Sequence, residues 1–202
     1  MIISHKHKFI FIKTRKTAGS TIEKILYPYL GETDICTGST RDGTPALNVP
    51  KDMNGHYGYG YLINKYPKAI KNYWTFTIER NPWDKCVSAY HWHNKIKPAK
   101  TKDGFSAYLR NHSGLLPYDF PEYTDTSHKL VGDVFMYECL WKVIPALNEK
   151  LGLDIDENLI YDVKLKAGLR DKSHYSEYYN DEDRKFVARL FRREIQEFNY
   201  EF

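Results

Sequence analysis

Four consecutive apolar residues, Phe9-Ile10-Phe11-Ile12, lead into a basic, hydroxyl-rich turn, and beyond it Ile22, Ile25, Leu26, Tyr29 and Leu30 recur at helical spacing. This pattern predicts a buried strand, a turn and an amphipathic helix. Tyr73 to Ile78 reads as a second strand, rich in β-branched and aromatic residues, and Asn81-Pro82 after it is a strong helix opening, a capping side chain followed by proline at the first helical position. A third strand is expected around Val134. Leu140, Val143, Ile144, Leu147 and Leu151 then mark a helix, as do Phe186, Val187, Leu190, Phe191, Ile195 and Phe198 near the end. Between these elements, Gly31 to Asn54 is Gly/Thr/Asp/Pro-rich and reads as a long loop, while the mixed stretch from Lys95 to His128 offers only a short helix near Phe105 to Asn111. Strands alternating with helices predict an α/β fold, a mostly parallel central sheet with flanking helices that binds its ligand at the strands' carboxyl ends.

The chain has 202 residues and no Pro/Ser/Gly-rich linker, which predicts one domain over residues 1–202. An aromatic content of 15%, with 17 tyrosines, argues against disorder. Thirty basic and 26 acidic residues leave a formal charge of +4, which suits an anionic ligand and is too mild for a nucleic-acid binder. Cys36, Cys86 and Cys139 show no CxxC spacing and no compact Cys/His ligand set, so neither a disulfide framework nor a metal is expected. The longest early apolar run is too short for a signal sequence or a membrane span, and the expectation is a soluble, cytoplasmic protein.

The turn Lys13-Thr14-Arg15-Lys16-Thr17-Ala18-Gly19-Ser20-Thr21 carries the first candidate chemistry. A helix N-terminus exposes unpaired N–H groups and the positive end of its dipole, so a turn of lysine, small residues and hydroxyls in front of it is suited to gripping a phosphate. Lys16 precedes Gly19, whereas the nucleotide-triphosphatase loop GxxxxGK[ST] places its lysine after the last glycine. That order suits an ammonium reaching the atom that bridges a phosphate to its neighbour, although an ordinary basic turn with a serine cap fits as well. A second motif, Arg80-Asn81-Pro82 with Ser88-Ala89-Tyr90, puts an arginine at a strand's carboxyl end and a serine roughly 9 Å along the following helix. Arginine fork and serine hydroxyl together suit one phosphate.

With these two motifs in order, each after a strand, the chain resembles the sulfotransferases that use 3′-phosphoadenosine 5′-phosphosulfate (PAPS), in particular the branch acting on carbohydrate hydroxyls. Arg15-Lys16-Thr17-Ala18-Gly19-Ser20-Thr21 is similar to that family's Pro-Lys-Thr-Ala-Gly-Thr-Ser loop, and the resemblance continues through Val134 to Leu140 and Tyr178 to Tyr200. Arg15 stands where proline is usual, and Met136 where arginine is common. The resemblance implies a P-loop-like sulfotransferase fold and sulfuryl transfer from PAPS to an acceptor hydroxyl, with 3′-phosphoadenosine 5′-phosphate (PAP) as product and no metal.

It also implies roles. Lys16 would neutralise the bridging oxygen while Arg15, Lys16, Thr17, Ala18, Gly19, Ser20 and Thr21 hold the 5′-phosphate, and Arg80 and Ser88 would hold the 3′-phosphate. His56, lying between the motifs, would be the general base, because a neutral imidazole takes a proton without a large environmental shift. Glu79 and Glu138 are alternatives, and His91, His93 and His128 weaker ones. A basic run from Lys164 to Lys172 precedes Ser173 and matches the region where the family closes a loop over the adenosine, which makes Arg170, Lys172 and Ser173 candidate contacts. Tyr57, Tyr59, Tyr61 and the loop from Gly31 to Asn54 would face a small-molecule or glycan acceptor. Two rivals share the anion sites: a non-catalytic nucleotide- or glycan-binding module, and a P-loop phosphotransferase, whose lysine-bearing motif and acidic magnesium ligands are missing here.

Overall fold

The computed structural model describes residues 1–39, 43–53, 56–163 and 173–202. In chain order the elements are β1 (Ile2–Ser4), β2 (Phe9–Ile12), α1 (Gly19–Leu26), β3 (Ile35–Cys36), α2 (Tyr59–Lys65), α3 (Pro67–Asn72), β4 (Trp74–Glu79), α4 (Pro82–Ile96), α5 (Phe105–Asn111), β5 (Asp133–Met136), α6 (Val143–Leu151), α7 (Leu159–Asp162), α8 (Asp181–Leu190) and α9 (Arg192–Phe198). They fall into two compact units, Met1–Glu79 with Pro121–Leu165, and Arg80–Phe120 with Lys166–Phe202.

The first unit holds a sheet of order β3-β1-β2-β4-β5. β2, β4 and β5 are parallel, with Phe11 opposite Phe76 and Ile78 opposite Phe135. β1 lies antiparallel to both β2 and β3, so the sheet is parallel where the two motifs leave it and antiparallel at the other edge. One face carries the core: Phe9, Phe11, Phe76 and Ile78 meet Ile22, Ile25 and Leu26 of α1 and Val143, Ile144 and Leu147 of α6. Each such side chain contributes about 1.5–3 kcal/mol by leaving water. On the other face the Glu79 carboxylate accepts a buried hydrogen bond from the Tyr123 hydroxyl at 2.7 Å.

The second unit is built on α4. Asn81 caps it by accepting the Trp83 amide at 3.1 Å, with Pro82 in the first helical position as the sequence predicts. Trp83, Cys86 and Val87 of α4 pack with Phe105, Tyr108 and Leu109 of α5 and with Val187 and Phe191. A fully buried ion pair, Lys85 to Asp119 at 3.0 Å, lies within this unit.

Three expectations need correction. The stretch from Gly31 to Asn54 is not loop throughout, because Ile35–Cys36 pairs with β1 and Cys36 bridges to Leu47. Two apolar residues are too few to show a period; the edge of the sheet selects them. The final helix is two, α8 and α9, broken at Phe191, whose backbone (φ −102°, ψ 25°) leaves the helical region. Leu140 lies in the 3₁₀ turn Tyr137–Lys142 ahead of α6, in which Cys139 is non-helical.

Candidate active site

The turn after β2 is anchored before it becomes a loop. The Thr14 hydroxyl donates to the Ile78 carbonyl of the adjacent parallel strand and lies 2.8 Å from the Thr17 hydroxyl, so both threonine side chains are internal. Thr17 is buried, and its hydroxyl also reaches the Thr14 carbonyl at 3.2 Å. Lys16 and Ala18 both have left-handed backbones, φ 65° and 63°. Neither is glycine, and a side chain in that region costs about 1–2 kcal/mol, a strain found where a turn is held for function. The backbone of this turn therefore has a shape that sequence pattern did not reveal.

α1 begins at Gly19, with Ala18 rather than a serine in the cap position, so the cap residue offers no side-chain hydrogen bond to the first N–H groups. Its first turn has no acidic residue. The Thr21 amide bonds to the Ala18 carbonyl at 2.9 Å and Ser20 and Thr21 are buried, whereas Arg15, Lys16 and Ala18 are half-buried. The arrangement is an electropositive helix start flanked by two cations, and it fits a phosphate group.

Beneath it lies a charge pair that the sequence did not single out. Lys13 reaches Glu23 of α1, and the Met1 amino group reaches the same carboxylate. Burial pushes the Glu23 carboxyl up, but the Met1 amino group and the Lys13 ammonium outweigh it and hold it below the usual carboxylate range. The acidic side chain inside α1 is thus compensated from within the protein, and does not oppose an anion at the helix start. Gly19 is required here, since a Cβ on it would stand 2.6 Å from Cγ of Lys13.

His56 is exposed and precedes α2. Its Nδ1 lies 2.7 Å from the Lys13 carbonyl oxygen. A carbonyl can only accept, so Nδ1 carries the proton and the basic lone pair of the neutral ring is on Nε2. Nearby in sequence, the Tyr57 and Tyr61 rings pair at 4.4 Å between centroids, Tyr61 approaches Tyr66 at 6.3 Å, and Tyr57 and Tyr61 both donate to Asp52. Tyr61 belongs to α2, and Tyr59, two positions away on a helix, leaves from a different side.

In the second unit, Nε and Nη2 of Arg80 donate to Oδ2 of Asp84 at 2.9 and 2.6 Å. Ser88, half-buried, follows Asp84 by four residues on α4 and shares its helix face. The signal for Asp84 in the sequence is its i,i+4 spacing from Arg80. The alternative bases sit in other surroundings: Glu79 is buried against Tyr123, Glu138 is exposed, His91 lies 2.8 Å from the Tyr178 hydroxyl and His93 2.8 Å from that of Tyr108. His128 occupies a turn with φ 65°. Arg170 and Lys172 lie outside the described residues, and Ser173 is half-buried at their border. Among the described residues there is no group of three or more His, Cys, Asp or Glu side chains placed to hold a metal, and no helix long and apolar enough to cross a membrane.

The profile of the sulfotransferase family matches residues 1–131. Among solved structures, the crystal structure of mouse sulfotransferase SULT7A1 complexed with PAP is similar with a TM-score of 0.50 at 10% identity, over 96% of this chain and 86% of that one. At that identity the likeness is one of fold. No curated protein sequence matches the chain.

Proposed function

Since the chain belongs to the sulfotransferase family, we propose that it moves a sulfuryl group from PAPS to a hydroxyl of a carbohydrate acceptor. The observation that carries this reading is the start of α1 behind the left-handed Lys16 and Ala18, with alanine in its cap position, a phosphate cradle with a lysine at its entrance. The backbone from Lys16 to Thr21 binds the 5′-phosphate end of the donor. The hydroxyls of Thr17 and Thr14 brace that backbone instead of meeting the ligand.

In the transfer, an oxygen–sulfur bond forms to the acceptor while the bond from sulfur to the 5′-phosphate oxygen breaks. Lys16 neutralises the charge developing on that leaving oxygen, the kind of electrostatic stabilisation that supplies most of the catalysis in related phosphoryl transfers. His56 takes the acceptor's hydroxyl proton on Nε2, the nitrogen left basic by its bond to Lys13. Arg80 and Ser88 hold the 3′-phosphate, with Asp84 orienting the arginine fork.

A carbohydrate acceptor is favoured by Tyr57, Tyr61 and Tyr66, whose rings group next to the proposed base in sequence. A phenol presents an apolar face and a polar tip, matching the C–H face and hydroxyl edge of a sugar ring. The test is transfer from sulfur-labelled PAPS to a panel of glycans, phenols and lipid alcohols. Labelled glycan supports the proposal, labelled phenol alone corrects the acceptor, and no labelled product from any acceptor, with PAP still bound, favours the non-catalytic module.

A further inference from the structure

Lys13 joins three features of the first unit that the sulfuryl-transfer reading treats separately. Its carbonyl accepts the Nδ1–H of His56 at 2.7 Å. Its side chain, 10% exposed, ends in the ion pair with the fully buried Glu23 of α1. Between these two ends its stem runs over the first residue of α1, so closely that Gly19 has no room for a Cβ. The next residue, Thr14, is tied to the Ile78 carbonyl. The peptide group that holds His56 is therefore clamped on one side by an ion pair and on the other by the sheet.

The geometry points to Lys13 as a positioning residue for the base: its anchorage on Glu23 fixes the carbonyl that keeps His56 in the Nδ1–H tautomer, and so links the base to the phosphate loop. The inference rests on His56 being the base, as proposed above. The tautomer of a neutral imidazole is set by the hydrogen bond its other nitrogen makes. A carbonyl that can turn away no longer sets it. Lys16, three residues on, has the donor-side role proposed above, so the two lysines of one loop have separate tasks.

Nitrogen NMR of the full chain with labelled histidine reads the tautomer directly. In the unsubstituted protein His56 is expected as the Nδ1–H form. Lys13→Met keeps an unbranched stem over Gly19 and loses the ammonium; it should give a mixture of tautomers and lower kcat by about tenfold to a hundredfold, as small misplacements of catalytic groups do, with the KM for PAPS unchanged. In a His56→Ala background the same substitution should cost nothing more, because the two act through one path. Should Lys13→Met fail to fold with Glu23 left to the Met1 amino group alone, Lys13→Met/Glu23→Gln removes the lysine–glutamate pair and gives the same expectations. A pure Nδ1–H signal in the folded variant, or a loss that multiplies with that of His56→Ala, overturns the inference. Full activity in His56→Ala would instead overturn the assignment of the base, while the tautomer signal still decides what Lys13 does.

Discussion

A single carboxylate oxygen of Asp84 receives two N–H groups of Arg80, from Nε at 2.9 Å and Nη2 at 2.6 Å, one helical turn before Ser88. The guanidinium is thereby pointed along the face of α4 that carries the serine, with its planar fork held before any ligand arrives. If this fork takes the 3′-phosphate, PAP should stabilise the protein far more than AMP or ATP, without magnesium. At a concentration 100-fold above its dissociation constant the gain is about 2.7 kcal/mol. Arg80→Ala should weaken PAP binding by about tenfold to a hundredfold, the value of a hydrogen bond to a charged group, and leave AMP binding nearly unchanged. Equal thermal shifts with PAP and AMP in the unsubstituted protein would remove the arginine from this role.

Lys16→Ala should lower kcat by about 10²–10³-fold, the scale for losing one stabiliser of transition-state charge, with a smaller effect on PAP affinity measured by calorimetry. A variant that loses PAP binding in proportion to its rate would make Lys16 a binding residue only.

His56→Ala should cost roughly 10²–10⁴-fold in kcat while PAP affinity stays unchanged, since the residue serves the acceptor side. The acidic limb of the pH–rate profile should go with it, because protonated imidazole cannot accept the hydroxyl proton. A variant that keeps this limb directs the search to Glu79 and Glu138.

Asp34 tests the edge of the sheet. Its buried carboxylate accepts from the Ser4 hydroxyl at 2.7 Å and from the amides of His5, Lys6 and Gly31 at 2.7, 3.0 and 2.9 Å. Burial pushes this carboxyl up, but the Gly31 amide, the Ser4 hydroxyl and the other two amides outweigh it and hold it below its ordinary value of 3.8. A folded-state pKa below the unfolded one means stability that is present above the unfolded value and is lost as pH falls through the folded one. Chemical denaturation followed from pH 7 down to about pH 2 should therefore show a decline beginning near pH 4 that Asp34→Asn makes shallower. At pH 7 the same substitution should cost about 1–3 kcal/mol, because an amide cannot accept all four bonds.

Tyr61→Ala should raise the KM for a glycan acceptor several-fold and leave the KM for PAPS alone, since an aromatic contact contributes about 0.5–1.5 kcal/mol beyond its buried area. A matching rise in the PAPS KM would place this cluster beside the donor.

What the sequence determined by itself is local. The apolar run Phe9–Ile12 and the aromatic, β-branched Trp74–Glu79 became strands, Asn81 capped α4 with Pro82 behind it, and Phe105–Asn111 formed the short helix assigned to it. In each case the signal sits within a few residues, in side-chain period or in a cap that bonds to its own helix. The anion-binding character of the turn was legible for the same reason, because lysine, glycine and a helix start lie side by side. Tertiary structure alone decided the rest. Ile35–Cys36 became a strand because β1 offered an edge, and Thr17 turned inward because Thr14 was already tied to the next strand. The left-handed backbones of Lys16 and Ala18, the pairing of Lys13 with Glu23 and the bond from His56 to Lys13 depend on groups brought together across the first unit. Across sequence separations of 10 and 43 no period records such meetings; they follow from which surfaces the sheet buries together.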